Sequence, residues 1–111
     1  MDYSKYRNEK VTIDGHTFDS QKEGQRYLDL RLMLRAGVIR DLELQKRFVL
    51  QDGYVFQGRK VQPITYLADF YYYDNEKKCY VVEDVKGFRT DMYKIKKKMF
   101  EYRYKMPIIE I

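Results

Sequence analysis

The feature that most constrains the fold is a pair of strand-like segments in the middle of the chain. The first runs from Ile64 to Tyr73 and the second from Cys79 to Val85, and both are rich in aromatic and β-branched residues. Between them, residues 74–78 read DNEKK and are typical of a short polar turn. The pattern predicts an antiparallel hairpin around which the rest of the chain is arranged.

The register of this hairpin brings two acidic residues together. If Asp74 lies opposite Cys79, counting back along both strands places Asp69 directly opposite Asp84. Opposed Cβ atoms in an antiparallel pair lie roughly 4.5–5.5 Å apart, so two aspartates at these positions repel each other unless a cation neutralises them. We therefore expect a divalent cation at this point of the sheet.

Side-chain alternation along the second strand selects a lysine for the same face. Asp84 and Lys86 point the same way, while Glu83 points to the opposite face. Asp69 and Asp84, with the carbonyl of Val85, supply the oxygen ligands that Mg²⁺ prefers. Lys86 would orient or deprotonate the attacking water, or stabilise charge on a phosphate. The predicted chemistry is hydrolysis of a phosphodiester.

Length and composition limit the other functions open to the chain. Its 111 residues predict one domain, 1–111, and its 22 Lys and Arg against 17 Asp and Glu give a net charge of +5, which is compatible with binding a polyanion. No apolar run approaches the ~20 residues of a membrane span, and the N-terminus MDYSKYRNEK is unlike a signal peptide, so we expect a cytoplasmic protein with no membrane partner. One cysteine and one histidine exclude an internal disulfide and a zinc site built from several histidines.

A first helix is predicted from Ser20 to about Ala36, with Gly37 as its C-terminal stop. Ser20 and Glu23 match the S-x-x-E capping box, which would give Glu23 a role in holding the helix N-terminus. Glu23 also lies at the end of an apolar stripe with Tyr27, the stripe that faces the sheet. Glu23 is therefore a candidate for the acidic site, a role that is compatible with capping.

The segments on either side of this helix are shorter. Residues 1–10 are polar and aperiodic and predict a mobile arm. Residues 11–18, VTIDGHTF, predict a small hairpin with an Asp-Gly turn. Residues 38–50 alternate and predict a strand with an irregularity near its start, in which Gln45 either contacts substrate or pairs within the sheet.

Residues 51–61 predict a loop or a loose extension of that strand, and Arg59 and Lys60 at its tip are candidate DNA contacts. Pro63 lacks an amide donor and separates this segment from the central hairpin. Residues 108–111 predict a short closing strand that runs parallel to its neighbour, because a helix intervenes. The predicted architecture is α/β, with a helix, a three-stranded antiparallel sheet that carries the site, a second helix and a short strand.

The second helix is predicted to begin at the N-cap Thr90 and to end before Pro107. Apolar side chains recur along it at helical spacing and predict its core-facing stripe. They are Met92, Ile95, Met99, Tyr102 and Met106. Because the helix begins just after Lys86, Lys94, Lys96 and Lys97 near its start are candidate phosphate contacts.

The spacing of Asp69, Asp84 and Lys86 resembles the PD-(D/E)xK signature of the restriction-endonuclease-like nucleases, a superfamily that includes Holliday junction resolvases. Ala68 stands where the motif's name has a proline. The blocks FDSQKEGQRY, TYLADF, VVEDVKG and YKIKKKMF, in that order, resemble a family of small phage and prophage proteins assigned to that superfamily. The resemblance implies a restriction-endonuclease-like core and a Mg²⁺ or Mn²⁺ ion, with Glu23 completing the acidic cluster.

The resemblance also implies a function, a metal-dependent endonuclease acting on branched or otherwise structured DNA in phage replication or recombination. A homodimer is expected, since cutting two strands usually needs two sites. Two other functions remain open at this point. The chain either keeps the nuclease fold as a nucleic-acid-binding or regulatory module that does not cut, or is an interaction protein whose Asp69, Asp84 and Lys86 form a salt-bridged surface cluster.

Overall fold

The computed structural model describes residues 9–111, so the predicted arm at residues 1–10 lies outside the described residues except for its last two positions. The described chain contains two helices and eight strands. In chain order these are β1 (Val11–Ile13), β2 (His16–Phe18), α1 (Gln21–Arg35), β3 (Ile39–Gln51), β4 (Tyr54–Phe56), β5 (Arg59–Val61), β6 (Ile64–Asp74), β7 (Cys79–Asp84), α2 (Asp91–Tyr104) and β8 (Ile108–Glu110). Within residues 9–111, no helix is long and apolar enough to cross a bilayer.

The main sheet has four strands in the order β3-β6-β7-β8. β3, β6 and β7 run antiparallel, and β8 runs parallel to β7. This confirms the predicted α/β order of helix, three-stranded antiparallel sheet, helix and final parallel strand. The register of the central hairpin is also confirmed from Asp74 opposite Cys79 to Phe70 opposite Glu83.

The two helices cover opposite faces of the sheet. Val81 packs in a core with Tyr27 and Leu30 of α1, whereas the next residue, Val82, packs in a second core with Phe100 of α2. Neighbouring residues of a strand face opposite ways, so β7 is buried from both sides. The residues at its C-terminal end are therefore held between two packed layers.

Helix α1 forms as the sequence predicts. Ser20 is its N-cap, and its Oγ accepts a hydrogen bond from the Glu23 N–H at 3.1 Å. Gly37 follows the C-cap with a φ of 78°, which glycine adopts without a steric cost. The predicted stripe is confirmed too, because Glu23 and Tyr27 are both buried against the sheet.

The predicted core stripe of α2 is wrong at three of its five positions. Met92 is 62% exposed, Ile95 57% and Tyr102 79%, whereas Met99 and Met106 pack against the core. The buried residues of the helix are Tyr93 and Phe100. α2 carries apolar or aromatic side chains on two faces, and helical period alone does not decide between them. The buried face is the one on which the Tyr93 hydroxyl reaches a partner, the carboxylate of Glu110, at 2.8 Å. Burial of a tyrosine requires such a partner.

The segment after β3, residues 54–61, forms a hairpin of its own and not the predicted loop. β4 and β5 pair antiparallel, with Phe56 opposite Arg59. Gln57 and Gly58 make the two-residue turn, with φ values of 49° and 74°. A hairpin turn with positive φ at both central positions matches the twist of the flanking strands, which is why two residues suffice here.

Candidate active site

One cavity is lined by all four side chains that the sequence analysis selected as catalytic candidates. It has a volume of about 220 Å³. Its lining includes Glu23 from α1, Asp69 from β6, Asp84 from β7, and Lys86 just after β7. Ser20, at the N-terminus of α1, lies in the same wall. Segments far apart in the sequence therefore converge on one polar depression at the end of the central hairpin.

Asp84 and Lys86 share a face, as alternation predicts. The Lys86 Nζ atom lies 3.2 Å from Oδ2 of Asp84, which is buried. The hydroxyl of Tyr66 donates a short hydrogen bond to the same Oδ2 atom. Lys86 Nζ also lies 4.0 Å from the centroid of the Tyr93 ring, within the range of a cation–π interaction. These contacts hold the ammonium group and the carboxylate in fixed positions.

Asp69 lies at an irregularity of β6, where residues two apart no longer point to the same face of the sheet. Ala68 packs in the α2 core, and Phe70 packs in the α1 core although it is only two residues further along. The ladder to β7 ends at Phe70 and Glu83, so Asp69 and Asp84 do not form the predicted ladder pair. The Asp69 Oδ2 atom accepts a hydrogen bond from the Val85 N–H at 2.8 Å instead. That bond closes the gap where the two strands part.

The environment of Asp69 opposes its ionisation. Burial raises the pKa of Asp69, a hydrogen-bonding contact with the Asp84 carboxyl raises it further, and together they bring it to about 8. The Val85 N–H acts in the opposite direction but is outweighed. Two carboxyl groups this close hold a proton between them when no cation neutralises them.

Glu23 joins this group through its charge and through one amide. Burial raises the pKa of Glu23, and the negative charges of Asp19 and Asp84 add to the effect. The Gln45 Nε2 atom donates to the Glu23 Oε2 atom at 3.5 Å and to the Asp69 Oδ1 atom at 3.3 Å. Gln45 therefore bridges the helix acid and the strand acid.

The Gln45 side chain contacts two acids of the cavity, Glu23 and Asp69. The sequence left open whether Gln45 contacts substrate or pairs within the sheet. Its φ of 53° is unusual for a residue inside a strand, and such backbone strain concentrates at functional sites. The register of β3 against β6 pairs Leu44 with Phe70 and Lys46 with Ala68, which brings Gln45 level with Asp69. No signal local to β3 indicates this, because it depends on that long-range register.

An ion pair between Arg26 of α1 and Glu83 of β7 fixes the position of α1 on the sheet. Sequence reasoning missed it. Arg26 Nε and Nη2 donate to the two carboxylate oxygens of Glu83 at 2.8 and 2.6 Å. The Tyr72 hydroxyl donates to the same carboxylate. Arg26 follows Glu23 by three residues, about one helical turn, so this bidentate contact also sets where Glu23 lies. The available signal was Glu83 itself, an acid predicted to point to the face opposite Asp84 and Lys86.

With this geometry described, comparison with known proteins adds one match. Residues 3–108 match the family described as "Protein of unknown function (DUF1064)". The chain belongs to this family. No curated protein matches the chain, and no solved structure matches it.

The predicted DNA contacts of this DUF1064 chain lie outside the active-site cavity. Lys94 and Lys97 line a different depression on α2, and Lys97 Nζ forms an ion pair with the Glu110 carboxylate at 3.1 Å. Lys96 is half-buried. Arg59 and Lys60 are exposed on β5, on the small hairpin and not on a loop tip. Their predicted roles in binding DNA stay predictions.

The candidate metal ligands are the three carboxyl groups of Glu23, Asp69 and Asp84, which line one cavity. Across residues 9–111, no group of three or more His, Cys, Asp or Glu side chains is close enough to hold a metal ion on its own. The ligand set of Glu23, Asp69 and Asp84 therefore stays a prediction. Mg²⁺ commonly binds through only one or two carboxylates and keeps several waters, and Asp69 with Asp84 fits that smaller set.

Proposed function

We propose that this chain is a metal-dependent DNA endonuclease of the PD-(D/E)xK type. The observation that carries the proposal is the convergence of Glu23, Asp69, Asp84 and Lys86, from three separate segments, on the walls of one cavity. Nuclease chemistry needs carboxylates to hold a cation and a positive group beside the scissile phosphate. The resemblance in sequence supplies the rest of the proposal, that the substrate is branched or structured DNA in phage replication or recombination, in the host cytoplasm.

Asp69 and Asp84 would hold a Mg²⁺ or Mn²⁺ ion, with Glu23 completing the acidic group. The raised pKa of Asp69 supports this, because burial and the neighbouring Asp84 carboxyl both oppose its ionisation, and a bound cation would offset both. A bound divalent ion would supply Lewis-acid activation of the phosphodiester and of the attacking water. The protein's own part is to keep the two carboxyl groups adjacent and correctly oriented for the ion.

Lys86 would stabilise the charge that develops on the phosphate oxygens and align the attacking water. Its ion pair with Asp84 and its contact with the Tyr93 ring place the ammonium at the edge of the acidic group. The Tyr66 hydroxyl also donates to the Asp84 Oδ2 atom, so two groups hold this carboxylate in place. Groups already fixed in position do not have to reorganise during the reaction, which is the main source of such stabilisation.

The direct test is a cleavage assay on duplex, flapped, single-stranded and four-way DNA with Mg²⁺ or Mn²⁺. Asp84→Asn should abolish cleavage, and Lys86→Ala should reduce it by about a hundredfold or more. Asp41→Asn and Lys77→Ala change exposed residues of the same types and should cut like the wild type. Cleavage that survives both site substitutions would exclude this site as the catalytic one.

A nucleic-acid-binding module that does not cut is the second candidate. One observation favours it, since the Asp84 Oδ2 atom is already engaged by both Tyr66 and Lys86. Such a module would bind DNA but leave every substrate intact with either metal. Tight binding without cleavage, in a preparation whose fold is verified, would establish this alternative.

The proposed nuclease would act as a homodimer. The exposed face of α2 supports this, because Ile95 and Tyr102 lie seven residues apart and are both more than half exposed. Apolar side chains at heptad spacing are typical of a helix that packs against another helix. The solution mass of the wild type, compared with that of Ile95→Glu, tests this point.

A further inference from the structure

The hairpin of β4 and β5, which with its flanks spans residues 53–63, is a separate structural unit that we call the arm. Its two strands pair with each other and with no other strand among residues 9–111. Its apolar side chains are not buried, since Val55 is 71% exposed and Phe56 is 59% exposed. Tyr54 is exposed as well. An exposed apolar cluster on a projecting hairpin indicates a binding surface.

The charge of the arm indicates what kind of partner it binds. None of residues 53–63 is acidic, although the chain has 17 Asp and Glu, and Arg59 and Lys60 are both basic. Phe56 lies directly opposite Arg59, so an aromatic ring and a guanidinium share one face of the ribbon. Tyr54 lies on that face too, two residues from Phe56. Aromatic rings beside positive charges are the groups that bind unpaired bases and their phosphates.

Contacts at the base of the arm restrict its orientation. A Cβ atom at Gly53 would lie 2.9 Å from the Val61 carbonyl oxygen, so the two strands approach as closely there as a glycine allows. Asp52, beside Gly53, accepts from Arg103 of α2 at 3.4 Å. The arm is therefore anchored where it leaves the body of the protein.

The arm is also connected to the acidic cavity by the two longest strands. β3 leads into the arm and β6 leads out of it, and these strands carry Gln45 and Asp69. From Ile64 to Asp69 is five residues of β6, or roughly 17 Å at the rise of a strand. That is about five base pairs of B-DNA, at 3.4 Å per base pair. A nucleic acid that passes the base of the arm would reach the cavity within less than one helical turn.

We propose that the arm binds unpaired nucleotides beside the cleavage point, with Phe56 and Tyr54 stacking on bases and Arg59, on the same face, contacting phosphates. The placement of these nucleotides relative to the cut rests on the proposed nuclease function, but the binding itself does not. The arm thereby selects DNA that contains a branch or a single-stranded segment over continuous duplex. A second copy of the chain fits the arm less well, because a two-fold pairing of identical arms brings Arg59 and Lys60 against the same positive charges of the partner.

Binding without metal tests the proposal. The probes are fluorescently labelled single-stranded DNA, a four-way junction with unpaired nucleotides at its centre, and a continuous duplex of matched sequence, all measured by anisotropy in EDTA. Phe56→Ala should weaken binding to the first two by about tenfold and leave duplex binding unchanged, because stacking needs an unpaired base. Phe56→Tyr keeps an aromatic ring and should restore most of the loss.

Arg59→Ala should weaken binding to all three probes and lower the dependence of log affinity on log salt by about one unit on duplex. Leu32→Ala removes an apolar side chain of α1 that is 61% exposed, and should bind every probe like the wild type. Thermal unfolding of each variant verifies its fold.

Three results would overturn the arm's role. They are unchanged single-strand affinity in Phe56→Ala, an equal loss on duplex, or a change of solution mass in Phe56→Ala, which would identify the arm as a subunit contact. If the wild type cleaves DNA while Phe56→Ala binds normally, only the arm proposal fails. If Phe56→Ala loses single-strand binding but the wild type never cleaves, only the nuclease proposal fails.

Discussion

Asp69→Asn should stabilise the metal-free protein while removing its metal response. The substitution keeps the shape of the side chain, and the asparagine Oδ1 atom can still accept the hydrogen bond from the Val85 N–H. It removes the negative charge that Asp69 would add beside Asp84. The amide that replaces it can also donate to the Asp84 carboxylate, which the aspartate can do only when protonated.

The magnitude follows from the pKa of Asp69, which burial and Asp84 raise from 3.8 to about 8. Between these values the folded protein binds a proton that the unfolded chain has released, so the free energy of unfolding falls as the pH rises through this window. Each unit corresponds to about 1.4 kcal/mol. Solvent at the open side of the cavity and sharing of the proton with Asp84 reduce the total. We expect Asp69→Asn to be more stable than the wild type by about 2 kcal/mol near pH 8 and nearly equal to it near pH 4.

Urea denaturation in EDTA, followed at several pH values between these limits, measures the difference. Asp41→Asn, at an exposed aspartate on β3, serves as the control and should show no such pH dependence relative to the wild type. Adding Mg²⁺ at a hundredfold excess over its Kd should then stabilise the wild type by about 2.7 kcal/mol and the Asp69→Asn variant much less. A variant that is no more stable than the wild type near pH 8, or a difference that does not change with pH, would refute the reasoning.

Three further predictions concern the scaffold. Arg26→Ala should lower the free energy of unfolding by about 3 kcal/mol in urea denaturation, because it leaves the buried Glu83 carboxylate without its ion-pair partner. A loss below about 1 kcal/mol would show that the pair does not anchor α1. Phe100→Ala should cost about 3–5 kcal/mol and Ile95→Ala less than about 0.5 kcal/mol in the same measurement, and the opposite order would restore the core stripe first expected for α2. Hydrogen bonds from Arg89 and Tyr93 hold the pKa of Glu110 down at about 2, so its contribution to stability is present above the ordinary value of 4.5 and is lost as the pH falls toward 2. Glu110→Gln should therefore flatten acid unfolding over that range, and an acid transition identical to that of the wild type would contradict this.

The local parts of the fold were predictable because they depend on neighbouring residues. Ser20 and Gly37 bound α1 through a side-chain cap and a positive φ, both of which act within a few residues. The polar turn after Asp74 likewise determines the register of β6 against β7, and alternation then separates Glu83 from Asp84. The β4–β5 hairpin was missed because a Gln-Gly turn is a weaker signal than Asn-Gly or Asp-Gly.

The choice of the buried face of α2 was not predictable by the same means. Tyr93 is buried because its hydroxyl bonds to Glu110, which β8 brings beside it from a distant part of the chain. The bridge from Gln45 to Glu23 and Asp69 has the same origin, since it exists only after β3 has paired with β6 and α1 has docked on the sheet. Helical period records which side chains are apolar, but not which polar partners will meet them.

The sequence by itself determined the two helices, the strands of the main sheet, the central register and the identities of the four side chains that meet in the cavity. Tertiary structure alone decided how those side chains interact. β6 changes face at Asp69, so this carboxylate bonds to the Val85 amide and is not simply paired across the ladder. The physical reason is range, because caps, turns and alternation are set by neighbours in the chain. Burial, shared protons and ion pairs such as Arg26 with Glu83 depend on groups that only folding brings together.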